Sequence, residues 1–301
     1  MADVGDTVDG YKLRSILQAG QKTLVFEVVE GSGRHFAMKM LLPELKDNKE
    51  ARQELFTDAD VGLKMRHENV INILKVSKGD KTNPPYFIME YFPSGSLRTR
   101  IQSRNPADKQ FLREKARTIF KQSATGLAYL TASGFVHRDI KPDNILCNAS
   151  GKVKIIDFAI AQPITSGFLA GLFGGKSKQA QGTYSYMSPE QIQNKKLDAR
   201  SDVYAFGCTL YELVTATEKT AARPPFRGTS VNEILAKHLR EKPPHPASYN
   251  PDVTDEFGNL VVKMLAKKPD DRPPGFHEVL MELKKVRQVF KSIPEVPDEE
   301  M

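Results

Sequence analysis

His137-Arg138-Asp139-Ile140-Lys141-Pro142-Asp143-Asn144 runs into the apolar pair Ile145-Leu146. The stretch places a carboxylate at Asp139, an ammonium two residues on at Lys141, and a neutral amide five residues on at Asn144. A carboxylate can take up a hydroxyl's proton, a lysine can offset growing negative charge, and an amide oxygen can hold a hard metal ion. Outward from it, thirteen residues after Asn144, the strand-like run Lys152–Ile156 closes on Asp157-Phe158-Ala159. Upstream, another strand-like run ends on Phe36-Ala37-Met38-Lys39. Alone, an Asp-Phe pair says nothing, and Lys39 reads as a surface lysine on a strand.

Together these segments resemble the protein kinase family. The 137–144 stretch matches the family's catalytic-loop pattern, H-R-D-x-x-x-x-N, at every defining position. Asp157-Phe158 matches its metal-binding Asp-Phe-Gly element, with Ala159 in the glycine place, and Phe36–Lys39 resembles its third-strand Val-Ala-Ile-Lys. Gly182–Glu190 (GTYSYMSPE) resembles the end of an activation segment, with Ser188-Pro189-Glu190 in the Ala-Pro-Glu slot. Asp202, Gly207 and Arg272 stand where the family has a structural Asp, Gly and late Arg. The resemblance spans roughly Tyr11 to Phe290. Lys141, two after Asp139, is similar to the Ser/Thr branch. The Tyr186–Gln191 wording and the Pro-rich stretch after Leu239 look most like its bacterial members.

The resemblance implies an α+β, bilobal protein kinase fold that binds ATP with Mg²⁺ (or Mn²⁺) between two lobes. Residues 1–92 would form a small antiparallel sheet with one main helix, 93–291 a mostly helical lobe, and 292–301 a flexible tail. Asp139 would be the catalytic base, Lys141 the phosphoryl neutraliser, Asn144 and Asp157 the metal ligands, and Lys39 the phosphate anchor. Met89 would be the gatekeeper before a hinge at Glu90–Phe92, with Glu90 and Phe92 at the adenine and Gly20 in the glycine-rich turn. Val25, Ala37 and Leu146 would sandwich the ring, although core packing accounts for these apolar residues equally well. Glu190 and Arg272 would form a buried ion pair.

Four departures bear on efficiency. The glycine-rich loop reads Gln18-Ala19-Gly20-Gln21-Lys22-Thr23-Leu24-Val25, with one glycine where the pattern has three, which stiffens the backbone. Lys22 reads as solvent-facing, against a competing reading as a phosphate contact. Ala159 would cost about 1–2 kcal/mol if that residue had to be left-handed. Asp58 stands where a Glu partner for Lys39 is expected, one methylene short, with Glu54 as a substitute. Gly62, one turn on, stands where an apolar side chain is expected, implying a loosened helix. Thr165–Gly175 is apolar and Gly-rich and reads as a docking surface for an activator or a second copy, as a plug, or as disorder. Thr165, Ser177, Thr183 and Ser185 are candidate phosphosites, with Thr183 weighted toward a structural role at the substrate.

Hydrophobic residues make up 40% and charged residues 27%, enough apolar material for a substantial core. Periodicity predicts strands at Tyr11–Gln18, Leu24–Glu30, His35–Leu42, Val70–Val76 and Tyr86–Tyr91. It predicts helices at Lys46–Met65, Lys109–Ala132, Val203–Val214, Val231–Leu239, Asp255–Leu265 and His277–Phe290. The net charge of +7 is mild, and the basic 98–117 stretch reads as a solvated helical face rather than a nucleic-acid site. Two cysteines, Cys147 and Cys208, without a CxxC fit a reducing compartment. No secretory signal and no bilayer-length apolar run occur, so a cytoplasmic protein is expected, or the cytoplasmic domain of a longer membrane protein. The expected function is phosphoryl transfer from ATP to Ser/Thr of protein substrates, with autophosphorylation. The alternative is a pseudokinase acting as a nucleotide-binding scaffold. A small-molecule kinase ranks third, because the Gly182–Glu190 peptide-platform motif is intact.

Overall fold

The strand-like runs near the start of the chain pair, in the computed structural model of the protein, into one antiparallel six-stranded sheet. The structure describes residues 3–164, 183–217 and 221–293, with nothing of the Thr183 side chain. Segment 165–175 and Ser177 therefore lie outside the described residues, as does the chain from 294 onward. By internal contact the chain divides into two units, Met1–Pro93 with Ile156–Ala161, and Ser94–Ile155 with Gln162–Met301.

In the first unit the strands are β1 (Thr7–Val8), β2 (Tyr11–Ala19), β3 (Thr23–Glu30), β4 (His35–Leu41), β5 (Ile73–Ser77) and β6 (Tyr86–Glu90), in the order β1-β2-β3-β4-β6-β5. Period-two alternation decides which face each side chain takes. One face buries Tyr11, Leu13, Phe26, Val28, Met38, Met40, Tyr86 and Ile88. The other buries Leu41, Ile73 and Phe87 against Ala51, Leu55 and Ala59 of helix α1 (Lys49–Lys64). Helix α1 starts three residues later than its periodicity predicts. Asn48 caps it by accepting from the Ala51 N–H, and a 3-10 turn at Pro43–Leu45 precedes it. The strand predicted at Val70–Val76 begins at Ile73 instead.

The second unit is mostly helical. It holds β7 (Gly95–Ser96), α2 (Leu97–Gln102), α3 (Pro106–Ala132), β8 (Phe135–Val136), β9 (Ile145–Cys147), β10 (Val153–Ile155) and β11 (Gln162–Pro163). The helices α4 (Pro189–Ile192), α5 (Ala199–Thr215), α6 (Val231–Arg240), α7 (Asp255–Met264) and α8 (Phe276–Lys285) follow. Helix α5 is apolar nearly all round and, apart from Arg200, wholly buried. Gly207 lets α7 approach it, since a Cβ there would meet the Met264 Cβ at 3.0 Å. Helix α8 stops at Lys285, five residues short of its predicted end. The basic 98–117 stretch is only in part the solvated face its composition suggests, with Arg104 and Lys115 exposed. Arg100 pairs with Asp108 at 3.0 Å, Arg113 pairs with Asp252, and Lys109 is buried on the Ile101 carbonyl at 2.6 Å. Among the described residues no helix is long and apolar enough to cross a membrane.

Candidate active site

In the first unit, antiparallel register brings the predicted nucleotide residues together. Val25 on β3 faces Lys39 on β4, Ala37 faces Met89 on β6, and Phe36 faces Glu90. Val25 and Ala37 are buried, and Met89 and Phe92 are half-buried. The Glu90 carboxylate accepts from the Asn72 N–H at 2.7 Å, which fixes the end of β6. Gly20 lies in the turn between β2 and β3, where its N–H donates to the Thr23 carbonyl at 2.9 Å.

The Lys39 ammonium donates to Asp58 Oδ2 at 2.6 Å and to Asp157 Oδ1 at 3.1 Å. The Phe158 N–H donates to the other Asp58 oxygen at 2.8 Å. Asp58 thus takes the place expected of a Glu and also clasps the Asp157-Phe158 element. Burial opposes the charge on Lys39, yet Asp157 and Asp58 more than offset it and hold its pKa above the usual lysine value. Burial pushes the Asp58 carboxyl upward while the Lys39 ammonium opposes that shift. With only 2% of Asp58 exposed, a carboxylate so placed is sustained by its partners rather than by water.

The shorter Asp reaches Lys39 because the helix lies close to the sheet. Glu54, Asp58 and Gly62 follow at four-residue steps, which sets them on one face of α1. A Cβ at Gly62 would stand 2.4 Å from Ile73 Cδ1 and 2.8 Å from its Cγ1, well inside the roughly 3.5–4.0 Å of ordinary carbon contact. The missing side chain leaves no gap, because Ile73 fills it. The loosened helix expected from Gly62 is therefore corrected: α1 runs unbroken to Lys64. Glu54 is no substitute partner for Lys39. It receives Lys22 instead, at 2.8 and 2.9 Å, so Lys22 does not simply face solvent. Ala159 carries no strain, because the positive φ falls two residues earlier, at Asp157 (φ 69°).

In the second unit, Asp139 is gripped from three sides. Lys141 Nζ donates to its Oδ2 at 2.7 Å and Asn144 Nδ2 to the same oxygen at 3.0 Å. The Asp139 N–H donates to His137 Nδ1 at 3.3 Å, with His137 fully buried. Asn144 Nδ2 also donates to the Asp139 carbonyl at 2.8 Å. Both described contacts of that amide run through its nitrogen, so its oxygen has the chemistry to ligate a hard cation. Buried Asp202, on α5, accepts from the His137 N–H at 2.6 Å and the Arg138 N–H at 2.8 Å. Gln191 donates to the Arg138 carbonyl at 3.0 Å. These bonds hold Arg138 at φ 70°, a conformation that costs a non-glycine residue about 1–2 kcal/mol. Burial raises the Asp202 pKa against the pull of His137. Leu146 sits on β9 opposite Lys154 and Ser96.

The Glu190–Arg272 pair is bidentate, at 2.7 and 2.9 Å, with Arg272 wholly buried. Ser201 adds a donor to Glu190 at 2.8 Å. One cluster was not anticipated from the sequence. Arg98 reaches Asp143 at 3.2 Å and Glu212 at 2.5 Å, and Tyr186 bonds both Arg98 and Glu212. It locks the loop that carries Asp139 to α5, and no local spacing announces it.

A family model described as protein kinase domain matches residues 11–283. The chain is 31% identical over 276 residues to a protein named "Probable serine/threonine-protein kinase" from Streptomyces coelicolor, covering 91% of this chain and 39% of that protein. It is 31% identical over 282 residues to the probable serine/threonine-protein kinase PknB of Corynebacterium glutamicum, covering 91% and 42%. To the serine/threonine-protein kinase PknB of Mycolicibacterium smegmatis it is 31% identical over 257 residues, covering 85% and 39%. The chain thus spans about two fifths of the length of these curated relatives.

Proposed function

We infer, from the premise that this chain belongs to the protein kinase domain family, that it transfers the γ-phosphoryl group of ATP to Ser or Thr hydroxyls of protein substrates. The observation that carries this reading is the Asp139 carboxylate, aimed by Lys141 and Asn144 on a loop anchored at Asp202. Asp139 accepts the hydroxyl proton as the oxygen attacks. Lys141, already on that carboxylate, is placed to offset charge on the transferring group. Lys39 anchors the phosphates, and Asp58 orients Lys39. Asn144 and Asp157 are the oxygen donors suited to a divalent cation, Mg²⁺ or Mn²⁺, which when bound with ATP supplies charge neutralisation. Gly20, Val25, Ala37, Met89, Glu90, Phe92 and Leu146 complete the nucleotide contacts.

In this proposal residues 1–92 and 93–291 are the two lobes, the compartment is cytoplasmic, and an activator or second copy engages 165–175. The scaffold alternative finds no support. The matched relatives are named as kinases, and Asp58, Gly62 and Ala159 are each accommodated without loss of a contact.

Incubation with Mg-ATP followed by intact mass measurement tests the reading. Wild type should gain mass in phosphate steps or phosphorylate an added protein, and Asp139→Asn should do neither. Equal gain by the variant would overturn the assignment of Asp139.

A further inference from the structure

The turn between β2 and β3 holds a single glycine, yet it is not left unsupported. Gly20 and Thr23 close it by a backbone bond of 2.9 Å, and the Leu42 N–H donates to the Lys22 carbonyl at 2.9 Å. From its tip the Lys22 ammonium reaches both Glu54 oxygens, at 2.8 and 2.9 Å, and Glu50 Oε1 at 3.4 Å. Three carboxylate oxygens thus surround the cation. An ammonium has three donors, so Lys22 is engaged with the helix rather than offered to a phosphate.

Glu54 is one helical turn before Asp58, on the same face of α1. The helix therefore meets the sheet unit through successive rungs: Glu54 to Lys22, Asp58 to Lys39, and the close approach of Gly62 to Ile73. Asp58 has no length to spare. An outward drift of α1 by one C–C bond, about 1.5 Å, would stretch its 2.6 Å contact beyond hydrogen-bonding range. Gly62 permits the approach, but a missing side chain exerts no pull. The Lys22–Glu54 pair exerts one, at the opposite end of the same stripe.

We propose that Lys22 is a positioning residue: through Glu54 it holds the β2–β3 turn against α1 and sets the distance at which Asp58 meets Lys39, supporting nucleotide binding without touching the nucleotide. The proposal rests on the kinase reading above. Both partners are about one-third exposed, 36% and 30%, so the pair adds little to global stability. Its effect is local.

The test uses Lys22→Gln, Glu54→Gln, the double variant and Lys22→Arg, with calorimetric titration of Mg-ATP, KM and kcat for ATP, and hydrogen exchange of α1 amides without nucleotide. Either single variant should raise Kd and KM for ATP about two- to fivefold, the range expected of a part-exposed ion pair, with kcat nearly unchanged. The double variant should go no further, Lys22→Arg should stay near wild type, and α1 exchange should quicken in both Gln variants. Weakening by Lys22→Gln alone, with Glu54→Gln neutral or tighter, would make Lys22 a phosphate contact and overturn the proposal. No change in any variant would overturn it too. If wild type itself fails to bind Mg-ATP, the kinase reading falls. The nucleotide-free exchange then decides alone, and unaltered α1 protection in both Gln variants refutes the tether.

Discussion

Replacing Gly62 by alanine sets two known effects against each other at one position. In a helix interior alanine is favoured over glycine by about 1 kcal/mol, and on propensity alone Gly62→Ala would stabilise α1. The added Cβ, however, would stand 2.4 Å from Ile73 Cδ1 and 2.8 Å from Cγ1. Relief needs a displacement of about 1 Å or more to reach ordinary contact, and overpacking of this kind costs about 1–3 kcal/mol. Ile73 is fully buried on β5, in one cluster with Phe87 and the α1 residues Leu55 and Ala59, so its rotamer has little room to change. The expected net effect is a loss of about 0–2 kcal/mol, with α1 moved off the sheet and the Asp58–Lys39 contact lengthened. That displacement is close to the one C–C bond, about 1.5 Å, by which Glu exceeds Asp. Asp58→Glu, crowding on its own, should therefore recover ATP binding when combined with Gly62→Ala. Urea unfolding and Mg-ATP titration of both single variants and the double variant check this. A Gly62→Ala protein more stable than wild type, with unchanged ATP affinity, would refute the close-approach argument.

Arg272→Ala should destabilise the protein by about 3–5 kcal/mol in urea unfolding, because it leaves the Glu190 carboxylate buried without its cation. Glu190→Gln with Arg272→Met should recover part of that loss, and a loss under 1 kcal/mol in the single variant would argue against the pair's structural role. His238 is fully buried against Tyr204, and burial, aided by Lys267, takes its pKa from the ordinary 6.5 down to about 3. A base whose folded pKa is depressed binds its proton more readily when unfolded. Its stabilising share is thus complete above pH 6.5 and is lost as pH falls toward 3. Stability measured between pH 7 and 5 should therefore fall by up to about 1.4 kcal/mol per pH unit, and His238→Gln should flatten that slope.

The candidate site of this protein was legible in its sequence because it rests on residue types at short, fixed spacings. Asp139, Lys141 and Asn144 lie within six residues, so one turn of loop brings them together, as the structure finds. Alternation and helical periodicity pointed to a strand-rich unit followed by a helical one, since each pattern dictates which face is buried. The buried Glu190–Arg272 pair, 82 residues apart, was reached through resemblance rather than spacing. Tertiary structure alone decided what the departures from the family pattern mean. Asp58 and Gly62 each looked like a defect when read singly. Whether a short side chain reaches its partner depends on how near a helix lies to a sheet, and Ile73 and Lys39, which set that distance, come from strands on either side of α1 in the chain. Lys22 and Glu54 stand 32 residues apart and meet only because a turn and a helix converge. Residues 156–161 likewise join the first unit although in sequence they lie between two stretches of the helical one. Distances across such gaps are properties of packing, and no local pattern in the chain encodes them.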